Sequence, residues 1–293
     1  MIYKIQLRIP HLIFLVLLFV VHSSLAQYKT KPVVPVLPKG SLFIIGGGDR
    51  SPELISALIK TANLRPDDYI IVLPMATAEP EASFEAIKTQ LSAVAKNNIY
   101  SFNFAGEKVR DQSWLDSLAG AKLVFITGGD QNRFMKVVLN TPVYSAIHKA
   151  YQNGATIAGT SAGAAVMSKH MITGNQLLDN NYRETFNKLK ADNIEFETGM
   201  GLLDSVIIDQ HFIKRSRYNR LLSAITAYPG YDCIGIDEGT AIIVQGKNIT
   251  VAGVSQVIRV ADPEKMKVRE NQLVTFDNLR FSVYGPGDKF KLK

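Results

Sequence analysis

The 293-residue chain has one cysteine, Cys233, and one tryptophan. A single cysteine excludes an internal disulfide, a cysteine-ligated zinc site and a CxxC redox pair. Cys233 stands in the apolar stretch Cys233-Ile234-Gly235-Ile236, which marks it as a buried packing residue. Charge of one sign is not concentrated anywhere. The formal net charge is +7, but lysine and arginine are spread along the chain with no long basic run. That excess reads as ordinary surface charge and gives no footprint for nucleic acid. The triglycine Gly46–Gly48 lacks both the G-x-G-x-x-G and the Walker spacing, so a nucleotide cradle has no support. No internal repeat is present. A composition of 46% hydrophobic and 20% charged residues belongs to a globular protein rather than a disordered or fibrous one.

Long hydrophobic runs are also scarce. The run Leu12–Val21 has ten residues, too few to span a bilayer with confidence. Lys4 and Arg8 precede it, and Ser24-Leu25-Ala26 offers small residues for cleavage before Gln27. This is the pattern of a secretory signal peptide over 1–26. The expected product is exported, to a periplasm or outside the cell, with no membrane span left after cleavage; an uncleaved N-terminal anchor is the alternative. No cysteine stands at the cleavage site, which argues against a lipoprotein anchor. Residues 27–40 carry Pro32, Pro35 and Pro38 and read as an extended tether.

From 41 to 293 the chain reads as a single α/β domain. Short apolar strands over Ser41–Ile45, Tyr69–Leu73, Ile99–Phe104, Lys122–Thr127 and Ala155–Gly159 alternate with amphipathic helices. Helix signals are local: Ser51-Pro52-Glu53 starts one, Asp130 can cap another, and Thr141-Pro142 and Asn153-Gly154 bound a third. Alternation with brief connections implies a mostly parallel sheet with helices on both faces. Catalytic groups in such folds sit beyond the carboxyl ends of the strands. Gly46–Gly48, Gly128-Gly129 and Ser161 all follow strands, so their loops are expected to meet at one edge. After residue 240 the texture becomes that of antiparallel strands, with turns at Gln245-Gly246 and Gly285-Pro286-Gly287.

Gly159-Thr160-Ser161-Ala162-Gly163 fits the G-x-S-x-G nucleophile elbow. Only small residues fit beside a nucleophile on so tight a turn. The turn lifts the hydroxyl free of the sheet and directs the next N–H at a reacting carbonyl. The bland alternative is a Gly/Ala-rich turn for close packing, since the five-residue pattern alone is weak. A serine nucleophile needs a base. Outside the leader the histidines are His148, His170 and His211. His148 lies mid-helix beside Lys149 and is expected on a solvated face. His170 follows the elbow helix closely. His211 ends the apolar run Val206–Gln210, the place from which a base reaches another strand-end group; a hydrogen-bonded structural role is the alternative. Arg215, Arg217 and Arg220 follow it, suited either to gripping carboxylates or to a solvated face.

Gly128-Gly129-Asp130-Gln131, Gly159–Ala164 and Asp209-Gln210-His211-Phe212 with the three arginines resemble the serine peptidase family of the cyanophycinases and aspartyl dipeptidase E. The resemblance spans about residues 40 to 260. It implies a class I glutamine-amidotransferase-like, flavodoxin-like fold with serine in place of the usual cysteine nucleophile; Cys233 lies outside the elbow. It further implies Ser161 as nucleophile, His211 as general base, and the N–H groups of Gly129 and Ala162 as an oxyanion hole. Gln131, Asp209, Gln210, Arg215, Arg217 and Arg220 match substrate-pocket positions. The implied substrate is a peptide or cyanophycin, a poly-aspartate bearing arginine on each side-chain carboxyl, cleaved to β-Asp-Arg. An aspartyl or isoaspartyl dipeptidase and a catalytically silent binding protein are the alternatives. No metal or organic cofactor is implied, and a homodimer is. The acid behind His211 stays open among Asp179, Glu238 and Glu197.

Overall fold

The computed structural model describes residues 38–179, 181 and 183–293. The leader over 1–26 and most of the expected tether lie outside the described residues. The first half runs β1 (Ser41–Ile45), α1 (Pro52–Ala62), β2 (Tyr69–Leu73), α2 (Pro80–Ser92), β3 (Asn98–Ser101), α3 (Gln112–Gly120), β4 (Leu123–Ile126), α4 (Gln131–Val138), α5 (Pro142–Gln152), β5 (Thr156–Thr160) and α6 (Ala162–Ala165). Next come β6 (His170–Gln176), β7 (Ile194–Thr198), β8 (Val206–Gln210), α7 (Tyr218–Ala227) and β9 (Asp232–Ile236). The chain closes with β10 (Thr240–Gln245), β11 (Asn248–Gly253), β12 (Val257–Glu264), β13 (Lys267–Val268), β14 (Val274–Thr275), β15 (Asn278–Tyr284) and β16 (Lys289–Lys291).

The local signals act as their chemistry requires. Ser51 Oγ accepts from Leu54 N–H at 3.2 Å and caps α1 beside Pro52. Asp130 Oδ1 accepts from the N–H groups of Asn132 and Arg133 and caps α4. The third strand ends at Ser101, shorter than the apolar run to Phe104, because Phe104 leaves the ladder and packs on Trp114.

The main sheet has eight strands in the order β16-β11-β10-β1-β5-β4-β2-β3. β1, β5, β4, β2 and β3 are parallel, and β10, β11 and β16 add antiparallel pairs. The mostly parallel α/β sheet and the closing antiparallel strands are as the sequence implies. Alternation along β1 divides the core. Leu42 and Ile44 face the cluster with Phe134, Val143 and Ile147 of α4 and α5, while Phe43 and Ile45 face Leu54, Leu58 and Leu91 of α1 and α2.

A second sheet, β15-β12-β9-β8, was not evident from the sequence. β8 and β9 are parallel within it, and β12 and β15 are antiparallel. Ile208, Ile234 and Ile236 turn toward the main core, whereas Ile207, Cys233 and Ile258 pack on Leu221 and Ala224 of α7. Cys233 is fully buried, as expected of a packing residue. Among the described residues no helix is long and apolar enough to cross a membrane.

Candidate active site

Ser161 follows β5 of the main sheet and stands immediately before α6, with φ 53° and ψ −111°. A non-glycine residue there carries backbone strain. Neighbours of minimal size make it possible. A Cβ on Gly159 would come within 2.2 Å of Gly163 O, and one on Gly163 within 2.3 Å of Ile126 O. The Ser161 N–H donates to Ile45 O at 3.1 Å, tying the turn to the end of β1.

His211 follows β8 of the second sheet and also has a positive φ, 49°. Its N–H donates to Gly46 O at 2.6 Å, across the gap between the sheets. Asp237 fixes the turn that follows: its Oδ1 accepts from Ile213 N–H at 3.0 Å and Lys214 N–H at 2.9 Å. The imidazole Nε2 then lies 2.8 Å from Ser161 Oγ, and Nδ1 lies 2.6 Å from Glu238 Oε1. With the Nδ1 proton held on the carboxylate, Nε2 is the acceptor for the serine hydroxyl. Burial lowers the His211 pKa below its ordinary value; the Glu238 hydrogen bond raises it in part, and Arg215 lowers it further.

Glu238 lies where the chain passes from β9 in one sheet to β10 in the other. The three candidate acids thus part company. Glu238 meets the imidazole. Asp179 instead pairs with Arg183 at 3.7 Å, accepts from Asn181 N–H and lines a separate cavity with Gln176 and Lys188. Glu197 is exposed on β7 opposite Met171. The other histidines also stand elsewhere. His148 is not on a solvated face: its Nε2 lies 2.7 Å from Met200 O and its ring stacks on Tyr144. His170 stacks on Tyr228.

The floor under the imidazole and the acid is the triglycine Gly46–Gly48, a role that its spacing in the sequence does not reveal. A Cβ on Gly47 would sit 2.3 Å from His211 Cε1, and one on Gly48 2.7 Å from Glu238 Cβ. Both have positive φ, 102° and 70°. Backbone without side chains lets His211 and Glu238 lie directly on the β1 loop.

Beside Ser161 a cavity of about 380 Å³ is lined by Gly129, Gln131, Gln210, Arg215, Arg217 and Arg220, among others. Gly129 has φ 136°, and a Cβ there would meet Ala76 O at 2.3 Å. Ala162 is the first residue of α6, so its N–H belongs to the donors a helix leaves without an intrahelical partner. Gln131 Nε2 donates to Thr173 O at 2.7 Å, bridging α4 to β6. Arg217 is 2% exposed; its Nη1 donates to Gln210 O at 2.7 Å and Gln210 Oε1 at 2.8 Å. Glu184 bridges Arg215 and Arg217 at 3.3 and 3.4 Å. Asp209 is not among the lining residues. It is 1% exposed and binds Arg220 through both oxygens, with Nε to Oδ2 at 2.8 Å and Nη2 to Oδ1. It therefore holds Arg220 from behind. Among the described residues no group of His, Cys, Asp and Glu is arranged to hold a metal.

A serine, an imidazole and a carboxylate in one hydrogen-bonded series, on a strand-to-helix elbow, define a serine hydrolase of the α/β type. A model of peptidase family S51 matches residues 42–252, and the chain belongs to that family and is a serine peptidase. It is 34% identical over 289 residues to a cyanophycinase of Trichormus variabilis, covering 92% of each chain. It is 32% identical over 287 residues to a cyanophycinase of a Nostoc species, again covering 92% of each. The fold is similar to that of a peptidase from an acI-B1 Actinobacterium, with TM-score 0.63, 20% identity, and 87% of this chain and 98% of that one covered.

Proposed function

We propose that the protein is an exported serine exopeptidase that hydrolyses the poly-aspartate backbone of cyanophycin to β-Asp-Arg. Ser161 attacks the backbone carbonyl while His211 Nε2 takes its proton. Glu238 holds the imidazole and supports the cation that forms. The N–H groups of Gly129 and Ala162 receive the oxyanion, each such donor being worth about 3 kcal/mol of barrier in comparable enzymes. His211 then protonates the departing amine, and water, activated by the same nitrogen, releases the acyl group from Ser161. The arginines beside Ser161 orient the free carboxylate of an arginyl unit.

The observation that carries this reading is the contact of Ser161 Oγ with His211 Nε2 at 2.8 Å at the wall of an arginine-lined cavity. The cyanophycinase relatives support the substrate. The test is incubation of the mature protein and a Ser161→Ala variant with purified cyanophycin and, separately, with Asp-X dipeptides. Release of β-Asp-Arg by the unaltered protein alone supports the proposal. Turnover of dipeptides alone moves the assignment to an aspartyl dipeptidase. Binding without Ser161-dependent turnover contradicts it.

A further inference from the structure

Ser161 and His211 stand between two cavities and, among the described residues, are the only lining residues the two share. The second, of about 240 Å³, is lined by Gly48, Arg50, Ser83, Thr127, Gly128 and Thr160, among others. It is smaller than the usual pocket for a whole ligand and suits one residue of a longer one. Acyl transfer needs room on both sides of the nucleophile, one for the acyl part and one for the leaving part. The arginine-lined cavity supplies only one of these.

Three features give the second cavity a chemical sign. Arg50 is its cation and is half-buried, and burial lowers its pKa from the ordinary arginine value. Its Nε donates to Gln90 Oε1 at 2.8 Å and its Nη1 to Gly48 O at 3.5 Å, both neutral acceptors. Among the described residues no carboxylate forms an ion pair with it, and Asp49, next to it in the chain, raises its pKa only in part. Second, the hydroxyls of Thr127 and Thr160, in residues 1% and 4% exposed, are buried with no hydrogen-bond partner among the described residues. Both residues line the cavity, so its wall is polar there, although their hydroxyl oxygens are themselves closed to solvent. Third, among the described residues no acidic residue lines the cavity. An anion is the guest that a guanidinium in a wall without carboxylates fits.

We propose that this cavity seats a carboxylate of the substrate residue across the scissile bond from the arginine cluster, with Arg50 as its specificity-determining group. The proposal rests on Ser161 as nucleophile and deepens that reading: the substrate presents negative charge on both sides of the bond that is cut.

The test uses two phosphonate esters that differ only in the leaving arm, one ending in a carboxylate and the other in the matching carboxamide. Adducts on Ser161 are timed by mass spectrometry. The unaltered protein should react about tenfold faster with the carboxylate arm. Arg50→Gln should bring the ratio near one while leaving the carboxamide rate unchanged, and Arg50→Lys should keep part of the preference. Equal rates for both arms in the unaltered protein overturn the proposal, as does a preference that survives in Arg50→Gln. An equal slowing of both probes in Arg50→Gln overturns it too, since that is the signature of a structural residue. If the carboxamide probe fails to modify Ser161, the nucleophile assignment falls, and the carboxylate seat with it.

Discussion

At the scale of single residues, His211 carries the pH dependence. A base must be neutral at Nε2, so kcat/KM should rise with pH through the His211 pKa, which burial sets below the ordinary histidine value. Activity should therefore persist into mildly acidic solution. Two variants shift that limb in opposite directions. Glu238→Gln removes a group that raises the pKa, so the limb moves to lower pH while kcat falls by roughly 10²- to 10⁴-fold. Arg215→Ala removes a group that lowers it, so the limb moves to higher pH. A pH profile of kcat/KM for the three proteins checks both signs. Ser161 and His211 were legible in the sequence because each sits in a short local motif at a strand end. The acid was not, because Glu238 reaches the imidazole only through the crossing from β9 to β10. Its 27-residue separation from His211 has no local signature. Asp209 shows the reverse limit: the family resemblance implies a pocket position, yet its carboxylate is turned inward onto Arg220.

At the scale of elements, the β1 loop is the support on which the other two rest. Gly47→Ala adds both a strained φ and a clash with the His211 ring. Gly106→Ala adds a strained φ of 55° but meets nothing within 4 Å, so it isolates the backbone effect. Both variants should lose about 1 kcal/mol of stability or more. Only Gly47→Ala should also lose activity, by roughly 100-fold, since a shift near 1 Å at a catalytic group has that consequence. Thermal unfolding measured beside kcat/KM separates the two effects. Helix caps and the elbow were readable because their signals lie within a few residues. The use of Gly46–Gly48 was not, because the atoms that exclude a side chain come from residues more than 160 positions away.

At the scale of the whole molecule, the triad is assembled across two sheets. Ser161 ends a strand of the main sheet, His211 ends a strand of the second, and Glu238 lies on the segment between them. Hydrophobic runs identify strands but not their partners, which is why the second sheet that β8 and β9 form is not evident from the sequence. Buried ion pairs join the strands of the second sheet to one another and to α7. Asp209 and Arg220 form one, and Arg259 and Asp232 another, with Nη2 to Oδ1 at 2.7 Å. Asp209→Ala should destabilise the fold by about 3–5 kcal/mol, because it leaves a guanidinium buried without its carboxylate. Urea unfolding checks that value. A loss below 1 kcal/mol would return Asp209 to a role in substrate binding. The two sheets together bring one serine hydroxyl within hydrogen-bond reach of one imidazole, and so under its control. A small fluorophosphonate, followed by intact mass and peptide mapping, tests it most directly. One adduct is expected, on Ser161, formed at least 100-fold more slowly in His211→Ala. An adduct on another residue, or a rate indifferent to His211, would contradict it.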